Sequence, residues 1–176
     1  MSSRGSSNAH ASWPSTLATV ALLAAAGAGC ASTGGLKPSA SPAAAPPPSA
    51  LAVAGQALAD TALTYRGVPY RTGGADPSGF DCSGLVQYVL AQHGLAVPRV
   101  VEAQTQVGRP VERSRVAAGD LVFFKLDRRS VSHVGLTIGG GAFVHAPKEC
   151  GRVRVESLDA PYWARRYVGA RRVAGG

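Results

Sequence analysis

Apolar residues first recur at helical spacing just after position 50. Residues 50–65, ALAVAGQALADTALTY, place Leu51, Leu58 and Ala62 on one face, and this pattern predicts an opening helix. Residues 66–79 are dense in glycine and proline, so we expect them to form a loop.

A second helical pattern begins at residues 80–90, FDCSGLVQYVL. Asp81 suits the N-cap position, and Gly94 supplies a C-terminal stop after His93. The apolar stripe between them consists of Leu85, Val86, Val89 and Leu90. A loop and a short third helix are expected within residues 97–108.

The hydrophobic period changes from helix to strand after Gly119. Five segments bounded by glycines or charged turns have the composition of strands: 120–124, 133–139, 141–146, 152–157 and 167–173. Helices followed by a run of consecutive strands predict an α+β domain. In that domain the N-terminal helices pack on a mostly antiparallel sheet of about five strands.

The N-terminal segment has the layout of an export signal. Residues 17–29, LATVALLAAAGAG, form an apolar run too short to span a membrane, and Cys30 follows directly. This order resembles a bacterial lipoprotein signal, which predicts a signal peptide over 1–29 and lipidation of Cys30. Gly27 stands where leucine is usual, so an ordinary secretory signal with an incidental Cys30 is the alternative. Both alternatives predict export.

Residues 30–50 are expected to form the lipidated cysteine and a tether, because proline, alanine and serine dominate them and apolar bulk is nearly absent. An extended tether of this length reaches roughly 60 Å. The folded domain is expected over 51–176. Ala31 is not the aspartate that retains many lipoproteins at the inner membrane, so we expect an outer-membrane anchor with the domain in the periplasm.

Charge narrows the class of partner only slightly. The chain carries 18 Lys and Arg against 10 Asp and Glu, a net charge of +8, which suits nucleic acid, phospholipid head groups or acidic cell wall. The paired arginines are Arg128, Arg129, Arg165, Arg166, Arg171 and Arg172. They lack interleaved aromatic residues, and exported proteins rarely meet nucleic acid, so we expect no nucleic-acid partner.

Cys82 occupies the first turn of the helix capped by Asp81, where packing has no need of a cysteine. There a thiol faces unpaired backbone N–H groups and the positive end of the helix dipole, which predicts a lowered thiol pKa and a site for an oxyanion. The position is typical of a nucleophile. The alternative is a disulfide with Cys150, as expected for cysteines of an exported protein.

Two histidines are placed to serve such a nucleophile. A hairpin through glycines 139–141 would pair their strands antiparallel and bring His133 near His145, so that His133 acts as base and His145 orients it. The alternatives are two unrelated histidines at strand ends, or a zinc site with Cys82, although no closely spaced ligand pair is present. His93, at a helix end, is interpreted as structural.

Four segments together resemble the NlpC/P60 family of cell-wall cysteine peptidases, and most closely its lipid-anchored murein endopeptidases. They are GVPYRTGGADPSGFDCSGLVQYVLAQHGLAVPR (67–99), GDLVFF (119–124), SHVGLTIGGGAFVHAP (132–147) and PYWARRYVGARRV (161–173). The resemblance implies a small papain-like α+β domain. It also implies Cys82 as nucleophile, His133 as base and His145 as the third catalytic residue.

The resemblance assigns further residues to the site. Tyr70 is expected to line it and to assist substrate binding or oxyanion stabilisation. Asp81 and Ser83 are expected to contact the substrate, while Arg99 and Gln104 are interpreted as structural. No metal and no organic cofactor is implied.

The resemblance also implies a substrate, the stem peptides of peptidoglycan. The expected reaction is hydrolysis of a stem-peptide amide, with the D-Ala–meso-diaminopimelate cross-link favoured. The alternatives are a γ-D-glutamyl–diaminopimelate endopeptidase and a catalytically silent wall-binding lipoprotein. We further expect a monomer, a periplasmic protease or adaptor that controls its abundance, and, as a hypothesis, a regulatory disulfide between Cys82 and Cys150.

Overall fold

The structure is a computed structural model that describes residues 48–127 and 129–174. The predicted signal peptide, Cys30 and most of the predicted tether lie outside the described residues, as does Arg128. Within the described ranges, no helix is both long enough and apolar enough to cross a membrane.

Three helices match the predictions in type and order. They are α1 (Pro48–Thr64), α2 (Cys82–Gln92) and the single turn α3 (Val101–Gln104). Helix α1 begins inside the segment expected to be tether. Asp81 is the N-cap of α2 and accepts a hydrogen bond from the Gly84 N–H at 2.8 Å, and His93 is its C-cap, as the sequence predicted.

The loop expected over 66–79 contains a small hairpin that periodicity could not indicate. Strands β1 (Ala75–Asp76) and β2 (Gly79–Phe80) pair antiparallel around a two-residue turn. Strands of two residues are too short to show an alternating pattern, so the glycine and proline content dominated the prediction.

The main sheet has six strands. The five predicted strands are present as β4 (Leu121–Phe124), β5 (His133–Gly139), β6 (Ala142–His145), β7 (Arg154–Ser157) and β8 (Tyr167–Arg172). The sixth, the edge strand β3 (Arg109–Val111), was not predicted because it is short and centred on Pro110. All six pair antiparallel, in the order β3-β8-β4-β5-β6-β7. A single-turn helix α4 (Pro161–Ala164) precedes β8 and was also not predicted.

Both faces of the sheet are covered, which decides where the histidines lie. Alternate residues of β4 serve different cores: Leu121 and Phe123 belong to the cluster under α1 and α2, whereas Phe124 packs with Trp163 on the opposite face. Phe124 pairs directly with His133 across β4 and β5, so this histidine shares the Trp163 face. The α+β prediction is confirmed, and His133 and His145 lie together against Trp163 on this face of the sheet.

Candidate active site

Cys82 is the first residue of α2 and lies against the beginning of β5. The backbone N–H groups of Val134, the neighbour of His133, and of Ser83 and Cys82 itself act on its thiol to favour the thiolate. The side chain is partly buried. The predicted placement of a thiol among helix N-terminal N–H groups is therefore what the fold produces.

The two histidines form a buried hydrogen-bonded pair. Nε2 of His133 lies 2.8 Å from Nδ1 of His145, and the two side chains are 4% and 0% exposed. The hairpin prediction is correct, since Leu136 pairs with Val144 and the register brings the far ends of β5 and β6 together. Because Nε2 of His133 faces His145, Nδ1 is the nitrogen left to take a proton from a nucleophile.

The pKa of the Cys82 thiol differs from the expectation. Burial raises the pKa of the Cys82 thiol and the charge of Asp81 adds to this, although the N–H groups of Val134 and Ser83 act in the opposite direction. The prediction of a lowered thiol pKa is therefore wrong for the free protein. Burial outweighs the helix dipole, because α2 begins against the sheet rather than in solvent.

Burial also keeps the imidazoles neutral. It lowers the pKa of His133 to about 4, and it lowers the pKa of His145 to about 2 with a further contribution from the charge of His133. At neutral pH the pair is uncharged, so His133 has a free lone pair with which to act as a base.

Trp163 packs against both histidines and covers them on this face of the sheet. Its ring stacks on His133 at 5.5 Å between centroids with an interplanar angle of 23°, and it meets His145 edge-on at 4.9 Å. Phe124 and Phe143 complete the aromatic surround. This packing fixes both ring planes and excludes water from the shared hydrogen bond.

Arg99, for which a structural role was expected, binds both Asp81 and Ser83. Arg99 makes a forked contact with both Asp81 oxygens at 2.6 and 2.9 Å, and it donates to Ser83 Oγ at 2.8 Å. Burial acts to raise the pKa of Asp81, but the hydrogen bonds from Arg99 and Gly84 outweigh it and lower that pKa. These three residues line a cavity of about 500 Å³ with Gly73, Val100, Val101, Glu102 and Ser132.

A close backbone approach joins the loop before α2 to its first turn. A Cβ at Gly84 would lie 2.0 Å from the carbonyl oxygen of Gly74, which accepts from the N–H of Asp81 at 3.0 Å. Glycine is therefore required at position 84.

Tyr70 lies near enough to Cys82 and Asp81 for their charges to affect its phenol. Burial raises its pKa, as do the nearby thiol of Cys82 and carboxylate of Asp81, so its phenol stays protonated at neutral pH and remains a donor. The backbone of Tyr70 is fixed to the loop after β6 by donating to Gly151 O at 2.8 Å.

Cys150 takes no part in this arrangement. Cys150 is exposed, and its sulfur accepts a hydrogen bond from Arg154 Nη1 at 3.0 Å. Both Cys150 and the partly buried Cys82 are free thiols, so the suggested disulfide is not formed. For the zinc alternative, the part of the chain that the structure describes contains no group of three or more metal-binding side chains. Gln104 is buried and donates to Ser83 O and Pro98 O, a structural role as predicted.

Two residues beside the histidines were not predicted to belong to the site. Trp163 lies in the segment 161–173 and Glu156 in the predicted strand 152–157, and neither position by itself indicates a role. Trp163 Nε1 donates to Glu156 Oε2, and Glu156 Oε1 lies 3.8 Å from His145 Nε2. The only available signal was an acidic residue in the strand paired with the one that ends in His145.

The NlpC/P60 family profile matches residues 67–172. Among curated relatives, the chain is 43% identical to the murein DD-endopeptidase MepH of Escherichia coli over 57% of this chain and 39% of that protein. It is 44% identical to murein DD-endopeptidase MepS/murein LD-carboxypeptidase of the same organism, over 57% of this chain and 53% of that protein. The chain thus matches about half or less of the length of these relatives.

Other similar proteins carry a different named activity. The chain is 37% identical to the γ-D-glutamyl-L-lysine dipeptidyl-peptidase of Bacillus cereus over 56% of this chain and 30% of that protein.

Among solved structures, the NlpC/p60 domain of the peptidoglycan hydrolase SagA matches with a TM-score of 0.59 and 36% identity. That match covers 66% of this chain and 97% of the SagA domain. A profile match over most of the folded residues, on the predicted fold, shows that this chain belongs to the NlpC/P60 family.

Proposed function

We propose that this protein is a peptidoglycan endopeptidase that hydrolyses stem-peptide amides through Cys82, His133 and His145. The observation that carries the proposal is the buried His133–His145 pair, in which His133 begins β5 and is followed by Val134, the residue whose backbone N–H acts on the Cys82 thiol. Family membership and the murein activities of the named relatives support the substrate class.

The proposed reaction starts from a neutral thiol and a neutral imidazole. His133 Nδ1 takes the proton of Cys82 as the sulfur attacks the amide carbonyl carbon. The oxyanion that forms is stabilised by the N–H groups at the beginning of α2 and by the protonated phenol of Tyr70. His133 then gives its proton to the leaving amine, and a thioester remains.

The second half of the reaction regenerates the enzyme. His133 deprotonates a water molecule, which attacks the thioester carbonyl, and the carbon–sulfur bond breaks as the Cys82 sulfur recovers that proton from His133. The product leaves as a carboxylic acid and loses its remaining proton to solvent. His145 holds the His133 ring throughout by accepting the Nε2–H. The cavity beside Asp81, Ser83 and Arg99 is the proposed subsite for the substrate chain next to the cleaved bond.

We favour the D-Ala–meso-diaminopimelate cross-link as the bond that is cut, because the relatives named murein DD-endopeptidases have the higher identities. The γ-D-glutamyl linkage is the second candidate, since a relative named for that bond is also similar over the folded residues. A silent wall-binding protein is disfavoured by the presence of a complete set of reactive groups.

The cellular setting is also part of the proposal. Cys30 is the proposed site of lipidation after removal of residues 1–29, with a tether over 30–47, before α1, that lets the domain reach the wall from the outer membrane. A monomer suits this arrangement. Because uncontrolled cleavage would destroy the wall, we expect a periplasmic protease or adaptor that controls abundance.

The test uses the full chain, purified in detergent, on isolated peptidoglycan sacculi, with the products identified by mass spectrometry. Loss of cross-linked dimers with gain of monomers supports the cross-link endopeptidase. Stems that end at glutamate support the γ-D-glutamyl alternative. The Cys82→Ala variant is the control and is expected to release neither product, while Cys150→Ala retains activity.

Binding without products would overturn the enzymatic proposal and support the silent wall-binding protein. Products released equally by Cys82→Ala would mean that another group carries the reaction.

A further inference from the structure

One fully buried ring nitrogen of the histidine pair has no hydrogen-bond partner among the described residues. Nε2 of His145 is fully buried, and the nearest charged group is the carboxylate of Glu156, whose Oε1 lies 3.8 Å away. This separation exceeds a hydrogen bond and leaves no room for a water molecule between the two atoms. Hydrogen bonds of catalytic groups are often long in the free enzyme and shorten when substrate binds.

Glu156 is held in this place from two sides. Trp163 Nε1 donates to Oε2, and Arg154 Nε lies 2.9 Å from Oε1. The register of β6 and β7 pairs His145 with Arg154 and Phe143 with Glu156, so all four side chains share the Trp163 face of the sheet. The Glu156 side chain is 22% exposed, which leaves its carboxylate near the buried imidazole rather than in open solvent.

The shared hydrogen bond couples the tautomers of the two rings. If His133 is to accept the thiol proton at Nδ1, its own proton must sit on Nε2 and be donated to His145 Nδ1. His145 must then carry its proton on Nε2, the nitrogen that faces Glu156. In the opposite arrangement His145 donates from Nδ1, and the proton of His133 moves to Nδ1, where it blocks the reaction.

We propose that Glu156 is a positioning residue that selects the reactive tautomers of His133 and His145. A carboxylate can only accept a hydrogen bond, so it stabilises the Nε2–H form of His145 and, through it, the Nε2–H form of His133. Trp163 links Glu156 to the histidine pair, because the indole that stacks on His133 also donates a hydrogen bond to Glu156. This role rests on the proposed function.

The test compares the full wild-type chain with Glu156→Gln by ¹⁵N NMR of the histidine side chains at neutral pH, which distinguishes Nδ1–H from Nε2–H. The introduced amide can accept from Trp163 only through its carbonyl oxygen, so its NH₂ group faces His145. We therefore expect wild type to show Nε2–H at both histidines, and the variant to shift both toward Nδ1–H. Single His→Gln variants assign the signals.

The kinetic expectation follows from the tautomers. Glu156→Gln should lower kcat by about 10–100-fold, the range known for loss of the carboxylate partners of metal-binding histidines, with little change in KM. Glu112→Gln, an exposed glutamate outside the site, is the matched control and should change neither measurement. Glu156→Asp keeps a carboxylate that reaches less far, so intermediate tautomer populations and intermediate kcat are expected.

The outcomes separate this inference from the proposed function. Unchanged tautomers in Glu156→Gln would overturn the positioning role, whatever happens to kcat. A tautomer shift in a protein whose wild type releases no product would support the positioning role and contradict the proposed function. Thermal unfolding verifies that each variant is folded. Should the glutamine variant not fold, unchanged tautomers in Glu156→Asp would overturn the role.

Discussion

His133 and His145 share one hydrogen bond, with Nε2 of the first 2.8 Å from Nδ1 of the second, in an interior closed by Trp163. Burial keeps both rings neutral, so only one of them can donate in that bond. The position of the proton on one ring therefore determines its position on the other, and the packing around the pair fixes the orientation of both rings.

Two substitutions of His145 should distinguish the contribution of its hydrogen bond from that of its side-chain volume. His145→Gln retains an oxygen that can accept from His133 Nε2, so we expect a kcat loss of roughly tenfold, whereas His145→Leu should lose roughly 100-fold or more. Initial rates on sacculi provide the measurement. The control is His93→Gln, at the exposed end of α2. Equal losses in the glutamine and leucine variants would show that the hydrogen bond is unimportant.

The buried histidines should make the fold sensitive to acid. Their folded-state pKa values, about 4 and about 2, lie below the ordinary value of 6.5. The unfolded chain therefore binds protons first as pH falls below 6.5. The free energy of unfolding is therefore highest above pH 6.5. It falls as pH decreases toward the folded-state pKa values, by up to about 1.4 kcal/mol per pH unit for each ring.

Urea unfolding at pH 7 and pH 4.5 measures this loss. His133→Asn should reduce the dependence of the unfolding free energy on pH by about half over this range, since one of two buried imidazoles is removed. His93→Gln is the control for loss of an imidazole. A His133→Asn protein with the full wild-type pH dependence would contradict the prediction.

The raised pKa of Cys82 predicts slow alkylation at neutral pH. Only the thiolate reacts with iodoacetamide, so in a Cys150→Ala background the rate should rise as pH passes above the ordinary range of a cysteine. Mass spectrometry follows the modification, and the same protein unfolded in urea serves as the reference. A fast rate that is already constant at pH 6 would instead indicate a thiolate–imidazolium pair in the free enzyme.

Gly84→Ala should damage the site without touching a reactive group. Its Cβ would lie 2.0 Å from Gly74 O, and because the obstructing atom is backbone, the loop carrying Gly73 and Gly74 must move. We expect a fall in activity and destabilisation of about 1–3 kcal/mol, as for other overpacked positions. Gly169→Ala, in open space in β8, is the control and should be near wild type in both activity and thermal unfolding.

The sequence by itself determined the elements whose signals lie within a few residues of each other. Asp81 as the cap of α2, Cys82 as its first residue and the pairing of β5 with β6 all follow from local hydrogen bonds and short-range periodicity. The resemblance, carried by the same segments, indicated the family. These features were predictable because each needs only its own segment of chain to form.

Tertiary structure decided the electrostatics of the site and the residues that support it. Arg99 binds Asp81 and Ser83 from outside α2. Trp163 is positioned by α4, a helix too short to predict from the sequence. The pKa of Cys82 rises because β5 buries a helix end that the sequence suggested would be solvated. Burial and charge environment depend on which distant segments meet, and the local hydrophobic pattern does not contain that information.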